Sequence, residues 1–132
     1  MFSPWSIPLQ NEGVDIRVER EGEVVVLSLQ GAIDIVSAPK LKAQFDQELL
    51  NRWAPRLVVD CAGVEYVDSY GLGIIAQAVR LARRIRGEIR LCALRPEVRT
   101  VLDISGLSKH VSVLPSRSQA LASWSDEESQ TT

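Results

Sequence analysis

The chain has 132 residues but only one histidine, two cysteines and 5% aromatic residues. Each scarcity excludes something. His110 alone cannot build an ordinary zinc site without cysteine partners. Cys61 and Cys92 sit in no CxxC or CxxH pattern, and each lies in an apolar, strand-like stretch. Buried, reduced thiols are the plain reading, with a disulfide or a metal site as the alternative. Basic charge is not in excess: 15 Lys and Arg face 17 Asp and Glu, for a net charge of −2. A nucleic-acid binder usually carries a strong basic surplus, so that class is not expected. No apolar run approaches the ~20 residues of a membrane span. The opening "MFSPWSIPLQ" has neither a basic start nor a long apolar core, so it does not read as a signal peptide. A cytoplasmic location is expected, with no membrane partner.

What is present suits one compact unit. A chain of 132 residues with 45% apolar content can build one core. Residues 1–13, rich in Pro, Ser and Gln, read as a flexible arm. Residues 14–124 form the domain, and "SDEESQTT" over 125–132 reads as a disordered tail.

The periodicity predicts two strands first, Val14 to Arg20 and Val24 to Leu29, joined by the tight "EGE" link of a hairpin. Ser37 is a candidate N-cap and Pro39 suits a first helical turn. Leu41, Phe45 and Leu49 then share one helical face. Pro55 ends that helix. "RLVVDC" (56–61) reads as a strand covered on both faces, hence parallel to its neighbour. A second helix runs from Ser69 to Arg86, with Leu72, Ile75, Val79 and Ala82 inward and Gly87 as its stop. "EIRLCAL" is a strand, Pro96 to Ser105 a short helix closed by Gly106, "VSVL" (111–114) a last strand, and Ser116 to Trp124 a last helix.

That order, β-β-α-β-α-β-α-β-α, predicts an α/β fold. Its sheet should be mixed and mostly parallel, with about four to five strands, right-handed crossovers and about four helices. Sites in open sheets of this kind form beyond the strand C-terminal ends. Asp34 and Asp68 both sit where a strand hands over to a helix, so they are candidates for one shared surface.

The turn "VDSYGLG" (67–73) admits four readings. Asp68 or Ser69 caps a helix, with Gly71 and Gly73 allowing close approach to the sheet. A nucleophile elbow would want glycine two residues before Ser69, where Val67 stands, and would need His110 as its base. A phosphate cradle would want a GxxxxGK run or a third glycine, and neither is there. Lastly, Ser69 is itself a phosphoryl acceptor. A hydroxyl at a helix N-terminus points outward, and a phosphate there faces free N–H groups and the positive end of the helix dipole. Nearly two negative charges beside Asp68 would repel a closely docked partner without melting the fold.

From Val14 to Ser123 the chain resembles the STAS family of bacterial anti-sigma factor antagonists. "LQGAID", with Gly31 and Asp34, is similar to the family's motif after its second strand. "SAPKLKAQF" is similar to the helix opening that follows. "LVVDCAGVEYVDSYGLGII" resembles the central signature, a strand ending in Asp60 and then Asp-Ser-x-Gly-Leu, and "VRTVLDISGL" resembles the third helix and its glycine stop. The resemblance implies a regulator that is not an enzyme and needs no cofactor or metal. It binds an anti-sigma factor serine kinase, is released when that kinase phosphorylates Ser69, and is reset by a protein phosphatase. Asp34, Asp68, Ser69, Tyr70, Gly71 and Leu72 would form the docking face. Tyr70 stands where the family often has a second small hydroxyl residue, so it would reshape the contact surface and set partner choice. The alternative is an unphosphorylated STAS scaffold or ligand-sensing module of a larger signalling complex.

Arg80, Arg83, Arg84, Arg86 and Arg90 form a basic cluster on or just after the second helix, either a solvated face or a patch for an acidic partner. Trp53 is expected to pack at the end of the first helix. Trp5 and Trp124 lie near the termini, where exposed aromatics leave room for a weak homodimer.

Overall fold

The computed structural model describes residues 13–131, with side chains through Trp124. The expected flexible arm, with Trp5, lies outside the described residues except for Gly13. The side chains of the expected tail over 125–132 lie outside them too.

Strand β1 (Val14–Glu21) turns back into β2 (Val24–Ile33) through Gly22, whose φ of 62° suits a residue without a side chain. There follow α1 (Ala38–Leu50), β3 (Arg56–Val67), α2 (Ser69–Arg84), β4 (Glu88–Cys92) and α3 (Pro96–Ser105). A 3-10 turn (Leu107–Lys109), β5 (Ser112–Leu114) and α4 (Arg117–Thr131) follow. The five strands lie in the order β1-β2-β3-β4-β5. Among the described strands only the β1–β2 pair is antiparallel. Among the described residues, the expected mixed, mostly parallel sheet with four helices is therefore what forms.

Connections that step along the sheet in one direction with a shared hand put their helices on one face. One core cluster accordingly joins Val25, Leu27, Leu29, Leu57 and Val59 to Leu41, Phe45 and Leu49 of α1, to Ile75, Ala78, Val79 and Ala82 of α2 and to Val98 and Leu102 of α3. Burial of each such Leu or Phe contributes about 1.5–3 kcal/mol. The alternate residues Val24, Val26, Val58 and Cys92 face the other way and meet Ala120 and Trp124 of α4. Strands covered on both faces explain the unbroken apolar runs in their sequences.

Several details differ from the sequence reading. β2 and β3 run on to Ile33 and Val67, past the expected ends at Leu29 and Cys61. Their pairing survives two register shifts, between Ser28 and Gln30 and between Gly31 and Ala32, which break the two-residue alternation. Gly31 (φ 113°) and Gly63 allow this irregular stretch: a Cβ on Gly63 would lie 2.8 Å from the Leu29 carbonyl oxygen. Arg90 is not on the basic face of α2. It lies in β4, buried, with its guanidinium 4.1 Å from the Trp124 ring centroid and bonded to Glu88 and Ser123. Trp124 is buried rather than exposed, four residues after buried Ala120 on one face of α4. Trp53 does not pack into the core: it follows the end of α1 and is 80% exposed.

Candidate functional site

The extra strand length brings the two acids to one level. Ile33 and Val67 are the last paired residues of β2 and β3, and the Asp68 N–H donates to the Ile33 carbonyl at 3.0 Å. Beyond them the loop of residues 34–37 and the start of α2 meet.

Each acid is engaged by backbone. Asp34 Oδ1 accepts the N–H groups of Val36 and Ser37, both at 3.0 Å, which folds the loop on itself. Asp68 is the N-cap of α2: Oδ1 accepts the Gly71 N–H at 2.8 Å. Its other oxygen, Oδ2, accepts the Ile35 N–H at 3.1 Å. One carboxylate thus ties the helix start to the neighbouring loop. Ser37 occupies the N-cap position of α1 but makes no side-chain cap. Its buried hydroxyl instead donates to the Ala32 carbonyl at 2.8 Å and accepts the Asp34 N–H at 2.9 Å.

Gly71 passes close over β2, since a Cβ there would lie 2.4 Å from the Ile33 carbonyl oxygen. Gly73 does not share that role, as nothing would come within 4 Å of its Cβ. Leu72 is half-buried and packs on the main core. Ser69 is the first residue of α2 and exposed, with Tyr70 59% exposed after it. Beside the turn, Ile35 and Val36 are also exposed. The sequence reading missed both. Their apolar character points inward, and only the Asx-type turn of Asp34 directs them to solvent.

The chemistry this permits is limited. The Gly71 N–H, one of the donors a phosphate on Ser69 would want, already serves Asp68. Histidine is absent from the turn: His110 lies two residues before β5 and lines a cavity with Gly87 and Glu88 at the start of β4. Ser69 follows the far end of the parallel β3, so the structure separates the two residues an esterase would need together. Arg80, Arg83, Arg84 and Arg86 are exposed, Arg83 bonding to the His110 carbonyl. The two thiols point to opposite faces of the sheet, and both are free, which removes the disulfide alternative. Burial, followed by the charges of Cys92 and Asp60, pushes the Cys61 thiol above the ordinary range. Burial, followed by Asp60, pushes Cys92 up to about 11. None of the described helices is long and apolar enough to cross a membrane.

A family model for the STAS domain matches residues 15–120. The chain belongs to the STAS domain family. It is 28% identical over 108 residues to the anti-sigma F factor antagonist of Paenibacillus polymyxa, an alignment covering 82% of this chain and 92% of that one. The crystal structure of an anti-sigma factor antagonist from Mycobacterium paratuberculosis superposes with a TM-score of 0.76 at 27% identity, covering 93% of this STAS chain and 97% of the other. The Bacillus cell fate determinant SpoIIAA in its phosphorylated form shares the fold, with a TM-score of 0.65 at 20% identity over 82% and 97% of the two chains.

Proposed function

We propose that this STAS protein is an anti-sigma factor antagonist that works by partner binding, with Ser69 as its phosphorylation switch. One observation carries the reading. Both acids at the site hold backbone, Asp68 through both oxygens and Asp34 through Oδ1, while the hydroxyl between the Asp68 cap and Tyr70 is exposed at a helix start. That hydroxyl is the group whose chemistry can change while the scaffold stays put.

With Ser69 bare, the face made by Asp34, Asp68, Ser69, Tyr70, Gly71 and Leu72 docks on an anti-sigma factor serine kinase in the cytoplasm and takes it from its sigma factor. The kinase passes the terminal phosphoryl group of ATP to the Ser69 oxygen, releasing ADP and the hydroxyl proton. About −1.5 to −2 of charge then sits among Ile35, Val36 and Tyr70. Docking would strip water from that charge against apolar surface, and the complex dissociates. A protein phosphatase hydrolyses the ester and restores binding. The names of the aligned relatives support the role, and a phosphorylated form of the same fold supports its tolerance of a phosphate.

The test is incubation with the cognate kinase, ATP and magnesium. A single added phosphate, absent in Ser69→Ala, is expected. An unmodified chain beside a kinase active on another substrate would remove the switch.

The exposed Tyr70 favours a second reading, an unphosphorylated STAS scaffold or ligand-sensing unit. A large stable homo-oligomer on size-exclusion chromatography would select it.

A further inference from the structure

The pole of the sheet opposite Ser69 carries a second built surface. β3 starts there at Arg56 and runs 12 residues to Val67. At ~3.3 Å per residue the two ends stand roughly 35 Å apart. Trp53 is 80% exposed on this pole, and the Arg86 guanidinium lies 5.9 Å from its ring centroid. Beside it is an open depression of about 610 Å³ whose lining includes Arg20, Arg52, Arg56 and Glu23. Arg56 is engaged with the Trp124 ring at 5.9 Å, so Arg20, Arg52 and the Arg86 that sits against Trp53 supply the positive charge of this pole.

The backbone here is held, not loose. Ala54 (φ 47°) and Arg86 (φ 61°) are non-glycine residues in the left-handed region, where a side chain is uncommon. Pro55 locks the two segments together: its carbonyl accepts the Glu88 N–H at 2.8 Å, and a Cβ on Gly87 would lie 2.7 Å from its ring. A tryptophan turned outward on a fixed corner, with Arg86 against its ring and Arg20 and Arg52 in the depression beside it, has the composition of a binding hot spot.

We propose that this pole docks an acidic segment of a partner protein, independently of the Ser69 turn. Charge complementarity selects that occupant. Arginine forks grip carboxylates in pairs, and the indole face takes the apolar part of the same segment. A second copy fits less well, because arginines outnumber the one acid, Glu23, in this lining, and a two-fold contact would set net positive charge against itself.

The test uses the full chain and a fluorescein-labelled hexaglutamate peptide, followed by anisotropy. Saturable binding is expected, weakening as sodium chloride rises from about 50 to about 300 mM. Trp53→Ala and Arg52→Ala should each weaken it about five-fold or more, and Ser69→Asp should leave it unchanged. Thermal melts and Trp53→Phe, which keeps a ring, control for folding. Absence of saturable binding, or equal binding by Trp53→Ala, overturns the proposal. So does a peptide that binds only after Asp126, Glu127 and Glu128 are neutralised to amides, since the chain's own tail would then be the occupant. A wild-type dimer that Trp53→Ala makes monomeric also overturns it. Failure of the Ser69 switch would leave all these results untouched.

Discussion

Asp68 and Ile35 are joined by a hydrogen bond of 3.1 Å between residues 33 apart in sequence, from the Ile35 N–H to Asp68 Oδ2. With the 2.8 Å bond from Gly71, that contact makes one carboxylate both the cap of α2 and the tie to the loop at the end of β2. The acid beside Ser69 is therefore a positioning group. Asp68→Ala should cost about 1–2 kcal/mol in urea denaturation. Hydrogen exchange should speed up at Ile35 and Gly71 together. Protection lost at only one of them would show that the carboxylate does not couple the two segments.

The glycines of the turn separate by their neighbours. Gly71→Ala puts a methyl 2.4 Å from the Ile33 carbonyl oxygen and should destabilise by about 1–3 kcal/mol. Gly73→Ala meets nothing within 4 Å inside a helix and should stabilise by about 0.5–1 kcal/mol. Paired melting curves check the sign of each change. Equal effects would mean that α2 does not pass over β2 as closely as described.

The thiols make stability fall on the alkaline side. Both have folded-state pKa values raised above the ordinary 9.0, chiefly by burial. The folded chain thus keeps protons that the unfolded chain gives up, so stability is full below about pH 9 and declines as pH rises towards about 11. The Cys61→Ala/Cys92→Ala variant should show a flatter profile in that window. Iodoacetamide should label the native wild type only as fast as it opens. Rapid labelling of the folded protein at pH 8 would refute this.

Much of this was legible from periodicity. Leu41, Phe45 and Leu49 repeat at helical spacing, as do Ile75, Val79 and Ala82, and all are buried where that pattern puts them. The position of the acids was legible in part: Asp34 and Asp68 follow the paired ends of β2 and β3, and the loop after Asp34 is tied to Asp68 through the Ile35 N–H. The final residues of β2 and β3 were hidden because glycines and register shifts erase the strand alternation. Ile35 and Val36 were hidden because exposure of apolar residues depends on a loop that only Asp34 and Asp68 shape. The two tryptophans exchanged roles for a similar reason. Trp124 is buried by a face of the sheet distant in sequence, and Trp53 stands out on a corner set by Ala54 and Arg86.

The most direct measurement compares the affinity of the cognate anti-sigma partner for unmodified protein with that for protein carrying phosphoserine at position 69. The account predicts a loss of about 100-fold or more on phosphorylation. Ser69→Asp should bind more weakly than Ser69→Ala, with little change in melting temperature. Equal affinities, or a loss explained by unfolding of the phosphorylated chain, would contradict it.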